Sequence, residues 1–295
     1  MKKQKKSGLM NIYSYKFAMP AIIIYTLMFL VPTILGVFTA FTEWNMRDLY
    51  NFTFNGLENF IRIFEDPNFL LAIGNTFLFA IVSTAIKVVI AVLLALALTQ
   101  KLKTASLLRG IFYMPSILSG VVVGLIFTSF FKMDGMFDQI LRLFGYSGDF
   151  IWLGDERTAM LCVIAIDIWK GAGFSMMIFI AGLQSISSDY YEAAALDGAK
   201  GVKKFFYVTM PLLMPSFTIV ITSSLISGLK VFDSVFVLTG GGPGFATQVL
   251  ATYVYKNFSA GFLGKSSAMS LVLTIIVCIC TMGLNKYMRS KEVEA

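Results

Sequence analysis

Histidine is absent from the 295-residue chain. That removes the commonest side-chain base, the Ser-His and Cys-His nucleophile pairs and nearly all His-based zinc sites. Charge is scarce too: 14% of residues are Asp, Glu, Lys or Arg, against about 25% in soluble chains. The three cysteines, Cys162, Cys278 and Cys280, all fall in apolar runs. An odd number in such segments is no disulfide framework and leaves the redox compartment open. What is abundant is apolar surface, at 57% of residues with 28 Phe and 16 Met. Such a surface faces something other than water, and a membrane protein is the starting position.

A hydrocarbon core about 30 Å thick needs roughly 20 apolar residues per helix. Six stretches qualify: 17–41, 72–99, 111–132, 159–184, 210–238 and 267–288. The sequence therefore predicts an all-α integral membrane protein of six transmembrane helices. The first run follows Lys2, Lys3, Lys5 and Lys6 but is about twice the length of a signal-peptide core, so it reads as a retained span. Basic residues set the direction. The N-terminus, the 100–110 loop, the 185–209 loop and the tail carry fourteen Lys and Arg, and the three alternate loops carry six. By the positive-inside rule both termini are cytoplasmic. The chain then divides into a basic cytoplasmic N-terminus (1–16), a membrane domain (17–288) and a cytoplasmic tail (289–295). The net charge of +7 is a topogenic signal in this reading and does not imply nucleic-acid binding.

None of the loops is long enough to hide an enzyme. Gly240-Gly241-Gly242-Pro243-Gly244 is strong turn chemistry, but Phe245 occupies the third glycine of a dinucleotide fingerprint. Gly264-Lys265-Ser266 resembles a phosphate loop only until Ser259 is found in the place of its first glycine. No ATP-binding motif is present in the sequence. No nucleophile–base pair or metal-ligand cluster is present either, which argues against a membrane enzyme.

The 185–209 loop is the most informative segment. It runs Ser187-Ser188-Asp189-Tyr190-Tyr191-Glu192-Ala193-Ala194-Ala195-Leu196-Asp197-Gly198-Ala199-Lys200 and continues to Met210-Pro211-Leu212-Leu213-Met214-Pro215. Asp189 and Glu192 have the form of a capping pair, and the alanines are strong helix formers. Gly198 permits a break or a close backbone approach. A short helix, a turn and a second helix are expected. The small residues would let another protein come close, and Tyr190, Tyr191, Phe205 and Phe206 would serve as anchors.

The string E-A-A-x-x-D-G-A, followed by a hydrophobic residue, Pro and a second Pro, resembles the EAA signature of ABC importer permeases. Asp167-Ile168-Trp169-Lys170-Gly171, Ala181-Gly182-Leu183-Gln184 and the glycine-rich segment before Pro243 are similar to carbohydrate-uptake permeases of the maltose and glycerol-phosphate type, the first permease in particular. Met210 stands where a branched aliphatic residue usually precedes the first Pro. The resemblance implies a type I importer permease whose Glu192, Ala193, Ala194, Asp197, Gly198, Ala199 and Pro211 couple to a separate ATPase. It also implies a second permease, two ATPase subunits and an extracytoplasmic sugar-binding protein. ATP and Mg would belong to the ATPase, with no cofactor on this chain, in a bacterial plasma membrane.

Five ionisable residues interrupt the spans: Lys87, Asp167, Lys170, Lys230 and Asp233. Each costs about 2.5–3.5 kcal/mol against lipid, so each should face a cavity or a partner. Asp167 with Lys170, and Lys230 with Asp233, are spaced to pair on one helix face, whereas Lys87 has no acid nearby in sequence. With Trp169, Phe174 and Phe232 they form a candidate sugar path, in which rings stack on sugar CH faces and charges bind hydroxyls. The same charges could instead serve ion coupling in a secondary transporter. Gly120 and Gly124 form a GxxxG, read as a contact within the chain ahead of a seam with a second permease.

Overall fold

The structure, a computed structural model, describes residues 17–100, 102–145 and 150–292. Lys2, Lys3, Lys5, Lys6, Lys16 and Lys101, used above for orientation, lie outside them. The chain divides into two compact units, Met1–Ile63 with Asn257–Leu271, and Phe64–Lys256 with Val272–Ala295.

The first unit starts with α1 (Met19–Thr39). Pro32 lacks the N–H that would bond four residues back, and just before it the helix widens to a π-turn over Thr26–Leu30. An antiparallel hairpin follows, β1 (Thr42–Asn45) and β2 (Asp48–Phe54), with Thr42 opposite Phe54. This corrects the all-α expectation. Tyr50, Phe52 and Phe54 alternate along β2, the period of a strand, and Trp44 packs 6.1 Å from Phe52. Helix α2 (Glu58–Phe64) carries buried Asn59, whose amide donates to the Ala40 and Thr42 carbonyls at 3.0 and 2.9 Å.

The second unit is built on α3 (Pro67–Leu98), capped by Asp66, which accepts from the Asn68 N–H at 3.1 Å. Helices α4 (Ala105–Ile117), α5 (Gly120–Phe130) and α6 (Met136–Leu143) come next. Then come α7 (Ala159–Ser185), α8 (Ser188–Leu196), α9 (Gly201–Leu212), α10 (Met214–Leu229) and α11 (Asp233–Leu238). Two more, α12 (Leu250–Ser259) and α13 (Leu263–Arg289), close the chain. Helix α3 packs on α7 and α10, and α4 packs on α7. Glycines set these approaches. A Cβ on Gly173 would strike the Phe112 carbonyl, and one on Gly228 would lie 2.8 Å from Ala80 Cα. One buried cluster gathers Phe79, Val163, Ile166 and Val235; a second gathers Ala91, Met176, Phe179 and Val220.

Two expected spans are bent. The 111–132 stretch is α4 and α5, turned by 96° where Leu118 and Ser119 are extended after Pro115. The 210–238 stretch turns by 72° at Leu213 and breaks again between Leu229 and Asp233. Among the described residues, four helices are long and apolar enough to cross a membrane, or six if each bent pair counts as one span.

Candidate functional site

The EAA segment folds as the short helix α8. Its cap is Ser187, whose hydroxyl accepts from the Asp189 N–H at 3.3 Å, in place of the expected Asp189–Glu192 pair. Its end follows from Gly198, which adopts φ +77. The Gly198 N–H donates to Ala195 at 3.1 Å and the Ala199 N–H to Ala194 at 2.9 Å, the paired bonds of a Schellman stop. Open space surrounds the position of a Gly198 Cβ, so the glycine serves backbone conformation within this chain. Ala194 is buried, while Glu192, Ala193, Asp197 and Gly198 are exposed and Leu196 is 90% exposed. Of the expected anchors, Tyr190 and Phe206 are exposed. Tyr191 and Phe205 instead line a cavity of about 540 Å³, and Lys204 Nζ stands 4.8 Å over the Tyr191 ring. Pro211 lies two residues beyond a second π-turn, Phe205–Thr209, just as Pro32 follows the π-turn of α1.

The charges within the spans pair differently from the sequence expectation. Lys87 Nζ reaches Asp167 Oδ2 at 2.8 Å across α3 and α7, with side chains 6% and 22% exposed. A Cβ on Gly171 would lie 2.8 Å from Lys87 Cε, so the glycine makes room for the lysine stem. Neither proposed pair, Asp167–Lys170 or Lys230–Asp233, forms an ion pair among the described residues. Lys170 and Asp233 are instead brought together from different helices. Asp233 Oδ2 and Lys170 Nζ lie 3.0 and 3.4 Å from the place of a Gly120 Cβ. Both charges thus border the same side of the glycine, and they form no ion pair among the described residues. Gly124 receives Val237 in the same way, its Cβ position 2.7 Å from a Val237 methyl, so the GxxxG is a contact within the chain.

The aromatic candidates separate. Trp169 is edge-on to Phe127 at 5.3 Å and lines two apolar cavities of about 640 and 700 Å³, away from the charges. Phe174, one turn beyond Lys170, is 49% exposed. Phe232 stacks on Phe236 at 5.1 Å and meets the edge of Tyr255 at 5.4 Å, while Lys230 beside it is exposed.

Sequence reasoning missed how the glycine-rich loop is held. Gly240, Gly241, Gly244 and Phe245 all take positive φ. The Asn75 amide nitrogen lies 3.1–3.2 Å from the carbonyls of Phe245, Ala246 and Gln248, and Thr76 accepts from the Leu250 N–H at 2.9 Å. Thr247 donates to the Gly242 carbonyl at 2.7 Å, and buried Gln248 fills the place of a Gly241 Cβ. The available signal was Asn75 itself, an amide in an otherwise apolar run.

A family profile described as "Binding-protein-dependent transport system inner membrane component" matches residues 87–292. The chain is 33% identical to the probable ABC transporter permease protein YurN of Bacillus subtilis (strain 168), over 96% of this chain and 98% of that protein. It is 33% identical to the multiple sugar-binding transport system permease protein MsmF of Streptococcus mutans, over 95% and 97%. With the sn-glycerol-3-phosphate transport system permease protein UgpA of Brucella abortus the identity is 31%, over 92% of each. Among solved structures, a chain of a bacterial alginate ABC transporter in complex with a pentasaccharide-bound periplasmic protein superposes with TM-score 0.81. The two share 24% identity over 94% of this chain and 93% of that one.

Proposed function

The chain belongs to the family of binding-protein-dependent transport system inner membrane components, and from that membership we propose that it is a permease subunit of an ATP-driven sugar importer. It forms half of a translocation path with a second permease. Two ATPase subunits bind and hydrolyse ATP with Mg, and an extracytoplasmic binding protein delivers an oligosaccharide or sugar derivative. Both termini and the 185–209 loop are cytoplasmic, residues 17–288 form the membrane domain, and the basic 1–16 segment and the 289–295 tail flank it. The names of the relatives, which carry sugars and glycerol phosphate, support the cargo class.

One observation carries the coupling role. Helix α8 is a short, sharply ended helix whose C-terminal half exposes Ala193, Ala195 and Leu196 beside Glu192 and Tyr190, with nothing among the described residues over Gly198. A lever that docks in a cleft of another protein needs that form: a rigid end, little side chain and a fixed exit direction. Glu192, Ala193, Ala194, Asp197, Gly198 and Ala199 make the lever, and Pro211 sets the bend that passes its motion to α10. Gly198→Val tests this in a reconstituted transporter. ATP hydrolysis without uptake, from a subunit that still assembles, is expected; unchanged uptake contradicts the assignment.

The substrate path in this reading runs past Lys170 and Asp233, which both border Gly120, with Phe174 one turn beyond Lys170 and Lys230 and Phe232 just before Asp233 in the chain. A sugar hydroxyl accepts from the ammonium and donates to the carboxylate, which suits two charges held apart. Lys87 and Asp167 pair with each other inside the chain, Trp169 packs its ring on Phe127, and all three support the path by holding its walls.

A further inference from the structure

Helix α6 has its amphipathic faces reversed with respect to its own chain. At 100° per residue, Met136, Ile140, Leu143 and the following Phe144 fall on one arc, and Asp138, Gln139 and Arg142 on the other. The polar arc is tied to the protein. Asp138, 4% exposed, accepts from Trp152 Nε1 at 2.7 Å and from the Asp134 N–H at 2.9 Å. Arg142 pairs with Asp134 at 2.6 Å, and the Gln139 amide donates to the Asp134 carbonyl at 3.1 Å. Phe137 adds a ring stack on Phe131 at 4.8 Å. These contacts fix the roll of the helix, and that roll turns the apolar arc away. Met136 and Ile140 are 43% and 38% exposed, and Leu143 and Phe144 are each 85% exposed.

We propose that this face lies in the bilayer interface, at the boundary of headgroups and acyl chains where α5 leaves the membrane. The helix starts just past Phe130, the last residue of α5, whose Val121, Val122, Leu125 and Ile126 are themselves 45%, 47%, 60% and 43% exposed. Apolar surface therefore continues along the chain from a span into α6. A short helix with a strong apolar side and low overall hydrophobicity has the form of a segment lying in the membrane plane. Lys132, exposed at the junction and without an ion-pair partner among the described residues, suits lipid phosphates there. Held at one end by Asp138 and Trp152 and at the other by lipid, α6 sets the depth of the aromatic cluster around Phe127, Phe131 and Trp152.

Spin labels placed singly at Gln139, Ile140 and Leu143 test the proposal. The background replaces Cys162, Cys278 and Cys280, and the complete transporter is held in nanodiscs of phosphatidylglycerol and phosphatidylethanolamine. Collision with oxygen and with a water-soluble nickel chelate is then measured. Labels at Ile140 and Leu143 should show an oxygen-to-nickel ratio several-fold above that at Gln139. Nickel reaching Leu143 as freely as Gln139 would place the face in water and overturn the proposal. Protection of Leu143 from both reagents would assign the face to a protein partner and overturn it equally.

Discussion

Replacing Lys87 by Met leaves Asp167 without its partner inside the second unit. The Lys87 Nζ–Asp167 Oδ2 distance is 2.8 Å, and the side chains are 6% and 22% exposed. Removing one member of a buried pair costs about 3–5 kcal/mol, chiefly because the other charge stays behind uncompensated. The residual exposure of Asp167 places Lys87→Met near the lower end, at about 3 kcal/mol. Lys87→Met with Asp167→Leu removes both charges and should recover most of that loss, since an apolar pair of similar volume is often neutral in such a place. The two single variants and the double variant form a cycle, read by unfolding of the purified subunit in mixed micelles. A strongly favourable coupling is expected, and the double variant should keep the wild-type substrate concentration for half-maximal uptake. A cost for Lys87→Met below about 1 kcal/mol, the range of exposed pairs, would contradict a buried pair. A double variant as unstable as the singles combined would contradict it too.

Gly173→Ala should be severe, because its methyl would meet the Phe112 carbonyl and must push α4 off α7. Overpacking of that kind costs about 1–3 kcal/mol, which thermal unfolding would show. Gly36→Ala, with open space around it, should show no such loss. Asn75→Ala takes the donor from three loop carbonyls and should cost about 1–3 kcal/mol, with faster proteolysis within 239–249 as the local readout. Ser187→Ala removes the cap of α8 and should cost about 1 kcal/mol of helix stability, visible as faster hydrogen exchange in 188–196.

The membrane character and the EAA loop were legible because both are local. Span length and apolar content sit within one stretch of chain, and the Ala-rich helix stopped by Gly198 is written in consecutive residues. The bends were less legible, since hydropathy measures composition and is blind to direction. Pro115 with the extended Leu118, and Pro211 with Pro215, mark where the turns fall. The hairpin was also available in principle, through the alternation of Tyr50, Phe52 and Phe54. By composition, however, the segment reads as a polar connection between two spans. Pairing of the charges was not legible. Spacing within one helix proposed Asp167 with Lys170, but packing of α3 on α7 gave Asp167 to Lys87 from 80 residues away. Packing at Gly120 likewise brought Lys170 near Asp233.

The coupling role proposed for α8 requires that it dock on a separate ATPase. A photo-crosslinking residue at Ala193, exposed on the outward side of the helix, tests it most directly in the assembled transporter. An adduct with the ATPase subunit is expected, with a yield that changes when ATP is added. Adducts formed only with the second permease, or none from a transporter that still takes up sugar, would contradict it.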